Sequence, residues 1–144
     1  GAMKQATGAA LCLHPDDRPL WDMLETQCRL FDVPYVPAPP PDHWLKDEEL
    51  LSIGGVEGVA LHTPGHTPGS MCFHFPAAKV VLAGDTLFRG GIGRTDLWGG
   101  DFDAIERSIR ERLYKLDERT AVVTGHGPET EIGRERMTNS FVRA

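Results

Sequence analysis

Residues 62–86 read HTPGHTPGS followed by MCFHFPAAKVVLAGDT. The first part sets His66 between Gly65 and Thr67 with Pro64 and Pro68 on either side, a turn that leaves an imidazole little conformational entropy to lose. The second part is two short apolar runs, Met71 to Phe75 and Lys79 to Ala83, around Pro76-Ala77-Ala78, the pattern of a β-hairpin. It ends on Gly84-Asp85. A third segment, Ala121 to Thr124, is another short apolar run and leads into Gly125-His126-Gly127. His66, Asp85 and His126 all have glycine beside them, which lets backbone pack closely around an ion and leaves space for a water or substrate. Two imidazoles and one carboxylate suit zinc, iron or manganese better than calcium or magnesium, which take oxygen ligands. Spacing alone leaves a metal site and three unrelated polar residues equally open.

Outward from this stretch the chain alternates strand-like and helix-like segments. Leu50 to Ile53 and Val56 to His62 flank Gly54-Gly55, a two-residue hairpin signal. After Asp85 the chain is expected to turn irregular, because Arg89 to Asp96 holds three glycines, and a long loop beside a candidate site is more often functional than decorative. Arg94 and Asp96 in that loop are candidates for an ion pair that braces it, or for substrate contact. Asp101 or Asp103 is expected to cap a helix in which Phe102, Ile105, Ile109, Leu113 and Leu116 fall at helical spacing, and Asp103 with Glu106 fits a capping box. Residues 129–139 read as a polar terminal helix. Near the start, residues 9–14 read as a buried strand closed by Pro15. Asp16 or Asp17 then offers an N-cap for a helix over 17–31, with Leu20, Leu24 and Phe31 on its apolar face and Met23 and Cys28 beside them. Val33 to Pro41 carries five prolines and is expected to be an extended connector. The fold class is α/β or α+β, with sheets covered by helices.

The 144 residues fit one domain, with Gly1 to Met3 read as a cleavage remnant and start and residues 4–144 as the domain. Their 40% hydrophobic and 25% charged composition is that of a soluble globular chain. A formal charge of −6 argues against a nucleic-acid or basic membrane-binding surface. No apolar run approaches the roughly 18 residues of a membrane span, and a cytoplasmic location is expected. Cys12, Cys28 and Cys72 are odd in number and widely spaced, which favours reduced thiols, with Cys12 and Cys72 as small core residues. His14, His43, His62 and His74 read as ordinary polar residues.

Taken together, HTPGHTPGS, GDTLFRGGIGRTDL (84–97) and GHGPETEIGRERMTN (125–139) resemble the metallo-β-lactamase-fold hydrolases, and within them the glyoxalase-II-like branch of hydroxyacylglutathione hydrolases and their bacterial relatives. The resemblance runs from Lys4 to Val142. It implies an αββα sandwich with a dinuclear metal site at one edge of the sheets, in which His66 corresponds to a ligand of the first metal, Asp85 to the bridging carboxylate and His126 to a ligand of the second. It also implies metal-dependent hydrolysis of a glutathione thioester or related ester by metal-activated hydroxide, with zinc, iron or manganese as the metal. The family's upstream His-x-His-x-Asp-His motif does not occur here, as no two of the six histidines lie two apart. The chain therefore resembles a member lacking its N-terminal section. One ion or none, impaired hydrolysis, and a homo-oligomer, segment-exchanged or otherwise, are the expectations. Two alternatives stand beside this one: an iron enzyme like the persulfide dioxygenases, which also carry a PGHT turn and a GRTD loop, and a non-catalytic self-associating fragment.

Overall fold

Gly54 and Gly55 take φ of +59° and +83°, the left-handed pair that a tight hairpin turn requires and that glycine adopts without steric cost. They join β3 (Leu50–Ile53) to β4 (Val56–His62), one of the hairpins anticipated from sequence. The computed structural model describes residues 2–143. Gly1, read with Ala2 as a cleavage remnant, lies outside them, as does Ala144. The chain forms two compact units that divide between Leu45 and Lys46.

The smaller unit contains α1 (Ala2–Thr7), β1 (Cys12–Leu13), α2 (Arg18–Asp22), α3 (Leu24–Leu30) and β2 (His43–Trp44). The expected strand over 9–14 is only two residues long, because its parallel partner β2 offers just His43 and Trp44. Cys12 is exposed rather than a core residue. The expected helix over 17–31 breaks at Met23, whose N–H bonds to the Leu20 and Trp21 carbonyls, so that two short helices replace one. Asp17 stands at the N-cap of α2 without a side-chain cap bond. Instead His14 Nδ1 accepts the Asp16 N–H at 3.3 Å and starts a 3₁₀ turn at Pro15–Asp17. Met23 and Phe31 are exposed. Residues 33–41 have no regular structure, as their prolines require.

The larger unit adds β5 (Met71–Phe75), β6 (Val80–Gly84), β7 (Leu87–Phe88), β8 (Gly91–Ile92), α4 (Phe102–Glu111), β9 (Ala121–Thr124), β10 (Thr130–Glu131) and α5 (Ile132–Thr138). Six strands form one sheet in the order β10-β9-β6-β5-β4-β3. The β3–β4, β4–β5, β5–β6 and β9–β10 pairs are antiparallel, while β6 and β9 run parallel, with Val80 opposite Ala121 and Gly84 opposite Thr124. A parallel pair needs a crossover, and α4 lies within it. The consequence for function is positional. Strands β4, β6 and β9 all point the same way, so the segments that follow them, which carry His66, Asp85 and His126, leave from one edge of the sheet.

Ile105, Ile109 and Leu113 recur at the helical interval and are fully buried with Cys72, Val81, Ala83 and Val122 from the sheet and Leu87 from β7. The α4 N-cap is Asp101, whose carboxylate accepts the Ala104 N–H at 2.9 Å. The Asp103–Glu106 capping box is absent because Asp103 lies inside the first turn rather than at the N-cap, and Glu106 pairs with Arg110 at 3.1 Å. Phe102 lies on the helix's exposed side. The glycine-rich loop is less irregular than expected, since Leu87 pairs with Ile92 and Phe88 with Gly91 in a small hairpin. The terminal helix is shorter than 129–139, because Thr130 and Glu131 extend the sheet beside β9. Tyr114 donates to the Val142 carbonyl at 2.7 Å. Burial, with the Glu135 charge added, pushes its phenol up to about 12. Among the described residues no helix is long and apolar enough to cross a membrane.

Candidate metal centre

The turn after β4 is closed by its own polar groups. Thr63 N–H donates to the Ser70 carbonyl at 2.8 Å, Gly65 N–H to the Thr67 carbonyl at 3.0 Å, and the His62 ring, through Nε2–H, to the Pro68 carbonyl at 2.8 Å. His62 thus shapes the turn that presents His66. Below it, the buried Thr63 hydroxyl lies 3.2 Å from both Cys72 Sγ and the Thr86 hydroxyl, which ties the turn to the residue after Asp85. Burial pushes the Cys72 thiol up, so it stays protonated and inert there.

The structure brings His66, Asp85 and His126 together. His66 Nε2 lies 3.7 Å from Asp85 Oδ2, and His126 Nε2 lies 3.8 Å from Asp85 Oδ1. The carboxylate therefore turns a different oxygen to each imidazole. Both separations exceed a hydrogen bond, and they approach the roughly 3.4 Å expected between two donors on one tetrahedral zinc at ordinary bond lengths. The His66 ring is further constrained: its Nδ1 lies 2.9 Å from the Arg94 carbonyl, which can only accept. Nδ1 must carry the proton, so in the neutral ring the Nε2 lone pair faces a carboxylate oxygen. Two acceptors opposed in this way are suited to a cation between them, and imidazole fixed by a backbone carbonyl is a recurrent arrangement at metal centres. The donor set fits a transition metal. His126 is more open, and its ring packs on Phe88 with centroids 4.5 Å apart.

The neighbouring glycines are required by space. A Cβ on Gly93 would overlap the Asp85 carbonyl oxygen and stand 3.2 Å from His66 Cβ, and one on Gly125 would overlap Asp85 Oδ1. Gly125 N–H donates to the Gly84 carbonyl at 2.7 Å, and the Thr124 hydroxyl to the His126 carbonyl at 2.8 Å. These bonds fix how the chain leaves β9. Arg94 and Asp96 form a bidentate exposed pair at 2.7 and 2.8 Å, and the guanidinium holds the Asp96 carboxyl down at about 2. The pair closes the loop on itself while the Arg94 carbonyl holds His66. His74, on β5, sits half-buried, and burial lowers its imidazole's basicity. Sequence reasoning did not find Phe88, Glu135 or Asn139, and the only signal for the last two was their place in the GHGPETEIGRERMTN string.

A family model described as the metallo-beta-lactamase superfamily matches residues 1–126. The hydroxyacylglutathione hydrolase GloC of Haemophilus influenzae is 40% identical over 129 residues, which cover 89% of this chain and 61% of that protein. Among solved structures, the BLEG-1 B3 metallo-beta-lactamase superposes with a TM-score of 0.89 at 39% identity, over 99% of this chain and 69% of that one. TTHA1623 in a di-iron-bound form superposes with a TM-score of 0.86 at 36% identity, over 98% of this chain and 69% of that one. The chain spans about half to three-fifths of the length of the curated relatives it matches.

Proposed function

Because the chain belongs to the metallo-beta-lactamase superfamily, we propose that His66, Asp85 and His126 hold a divalent metal and that the chain belongs to a metal-dependent hydrolase acting on a glutathione thioester or related ester. The observation that carries the metal assignment is the opposition of His66 Nε2 and Asp85 Oδ2 at 3.7 Å with His66 Nδ1 committed to the Arg94 carbonyl. The substrate class rests on the likeness to the hydroxyacylglutathione hydrolase. Zinc is the first candidate, with iron supported by the di-iron relative and manganese by the mixed donor set. A bound ion of this kind supplies Lewis acidity and brings the pKa of water near neutrality. The protein's part is to present Asp85 between the two imidazoles, to keep the His66 tautomer through Arg94, and to leave the His126 side open to solvent. His-x-His-x-Asp-His is absent from these residues, so hydrolysis by this chain alone is expected to be weak.

Elemental analysis of the purified chain tests the reading directly. About one metal per chain is expected, lost in His66→Ala and His126→Ala with affinity falling by about 100-fold or more, and retained in His74→Ala. Equal loss in all three variants would overturn the assignment. Iron together with sulfur-dependent oxygen uptake would move the chain to the dioxygenase type.

We also propose a second copy of the chain as a partner. Strand β3 is an edge of the sheet, and Leu50 and Ile53 on it are 84% and 59% exposed, an arrangement that invites strand pairing. Light scattering in line with size exclusion is expected to show an oligomer that dissociates on dilution and is weakened by Ile53→Lys. A monomer throughout the micromolar range would refute it.

A further inference from the structure

Glu135 is fully buried on α5, and its carboxylate gathers groups from three places. Oε1 accepts the Thr130 hydroxyl at 2.6 Å, and Oε2 accepts the Gly90 N–H at 2.8 Å and the Asn139 side-chain amide at 2.9 Å. The same Asn139 amide donates to the Gly91 carbonyl at 3.0 Å, while its oxygen accepts the N–H groups of Phe141 and Val142. Gly90 and Gly91 form the tip and the return of the β7–β8 hairpin. A buried carboxylate is costly and is not the most stable way to fill a core, so its placement asks what it positions.

What hangs on that hairpin is the orientation of both imidazoles. Phe88, next to the tip, packs on the His126 ring. Directly after β8, Gly93 fits against the Asp85 carbonyl and the His66 Cβ, and the Arg94 carbonyl takes the His66 Nδ1–H. We propose that Glu135, with Asn139, is the positioning pair of the metal centre: it fixes the hairpin from behind, and the hairpin aims His66 and His126 at Asp85. Neither residue is among the proposed ligands. The inference rests on the proposed metal site, and it deepens that reading by naming what sets the site's geometry.

Two substitutions separate positioning from bulk. In Glu135→Gln the side-chain oxygen can still accept from Gly90 and Asn139, while its NH₂ donates to a Thr130 hydroxyl turned to accept. Glu135→Ala leaves the Gly90 N–H without its acceptor. Zinc affinity by competition calorimetry is expected to fall 10- to 100-fold in Glu135→Ala and to return within a few-fold of the parent in Glu135→Gln. The visible spectrum of the cobalt-substituted chain should change in the first variant and be restored in the second. Nitrogen-15 shifts of the His66 ring, recorded without metal, should show its Nδ1–H form in the parent and in Glu135→Gln and a tautomer mixture in Glu135→Ala. If Glu135→Ala does not fold, Thr130→Val carries the test, with a several-fold weakening and a shifted cobalt spectrum expected. A folded Glu135→Ala or Thr130→Val chain with the parent's zinc affinity, cobalt spectrum and ring shifts would overturn the proposal. A parent chain that binds no metal would instead overturn the metal site itself, and the ring shifts would still decide the positioning role.

Discussion

Gly125→Ala is expected to fold like the parent chain and to lose its metal. The backbone at Gly125 is not in the left-handed region, so alanine is conformationally acceptable there. Its methyl group would overlap Asp85 Oδ1 and stand 3.1 Å and 3.2 Å from the Gly84 carbonyl carbon and oxygen. Of these neighbours only the carboxylate can move at low cost, because it ends a side chain that is partly open to solvent. The variant relieves the overlap by turning Asp85 away from His126, which dismantles the donor arrangement while sparing the core. Thermal stability should stay within about 1.5 kcal/mol of the parent. Metal content after gel filtration should fall below about one-tenth, in line with a roughly 100-fold loss of affinity. An alanine variant that retains the parent's metal would show that Asp85 Oδ1 takes no part in binding.

Gly65→Ala is expected to fail at the level of the fold. Gly65 has φ +138°, which side-chain-bearing residues rarely adopt, and its added Cβ would overlap the Ile105 backbone, coming within 2.5 Å of the Ile105 Cα. Neither side can yield. Ile105 is fully buried in α4, and the turn is bound to that helix by Asp101 N–H donating to the Gly65 carbonyl and Ser108 Oγ–H to the Pro64 carbonyl, both at 2.8 Å. Backbone strain and overpacking together predict a loss of about 4 kcal/mol or more, a fall in Tm on the order of 15 °C. Circular dichroism melts measure it. Gly91→Ala is the control: its nearest contact is Phe88 Cβ at 3.9 Å with φ outside the left-handed region, and it should melt within about 1 kcal/mol of the parent. Equal behaviour of the two variants would contradict the close packing of turn on helix.

That His66, Asp85 and His126 belong together was legible in the sequence because each sits in a local signature, a Pro/Gly turn or a strand end flanked by glycine, that needs no long-range information. The hairpins were legible for the same reason, as Gly54-Gly55 and Pro76-Ala77-Ala78 state their geometry locally. What pairs with what was not. Glu135 and Asn139 look like the wet side of a polar helix, and only the folded chain shows the Thr130, Gly90 and Asn139 donors that satisfy the buried carboxylate. Phe102 fits the apolar spacing of α4 yet is exposed, because the helix turns Ile105 and Ile109 inward, on the line that Leu113 continues beyond its end. Cys12 alternates with apolar neighbours but has only a two-residue partner strand to pack beside.

The parallel pairing of β6 with β9 also sets an order of events during folding. Asp85 and His126 are far apart along the chain and become neighbours only once the crossover through α4 has closed, a contact of high sequence separation that pays its loop entropy before it is rewarded. The hairpins of β3, β4, β5 and β6 can form early from local contacts, whereas His126 joins the others with the docking of β9. At the proposed site, metal uptake would therefore report the docking of β9, and an ion held there would add its affinity to the β6–β9 pairing.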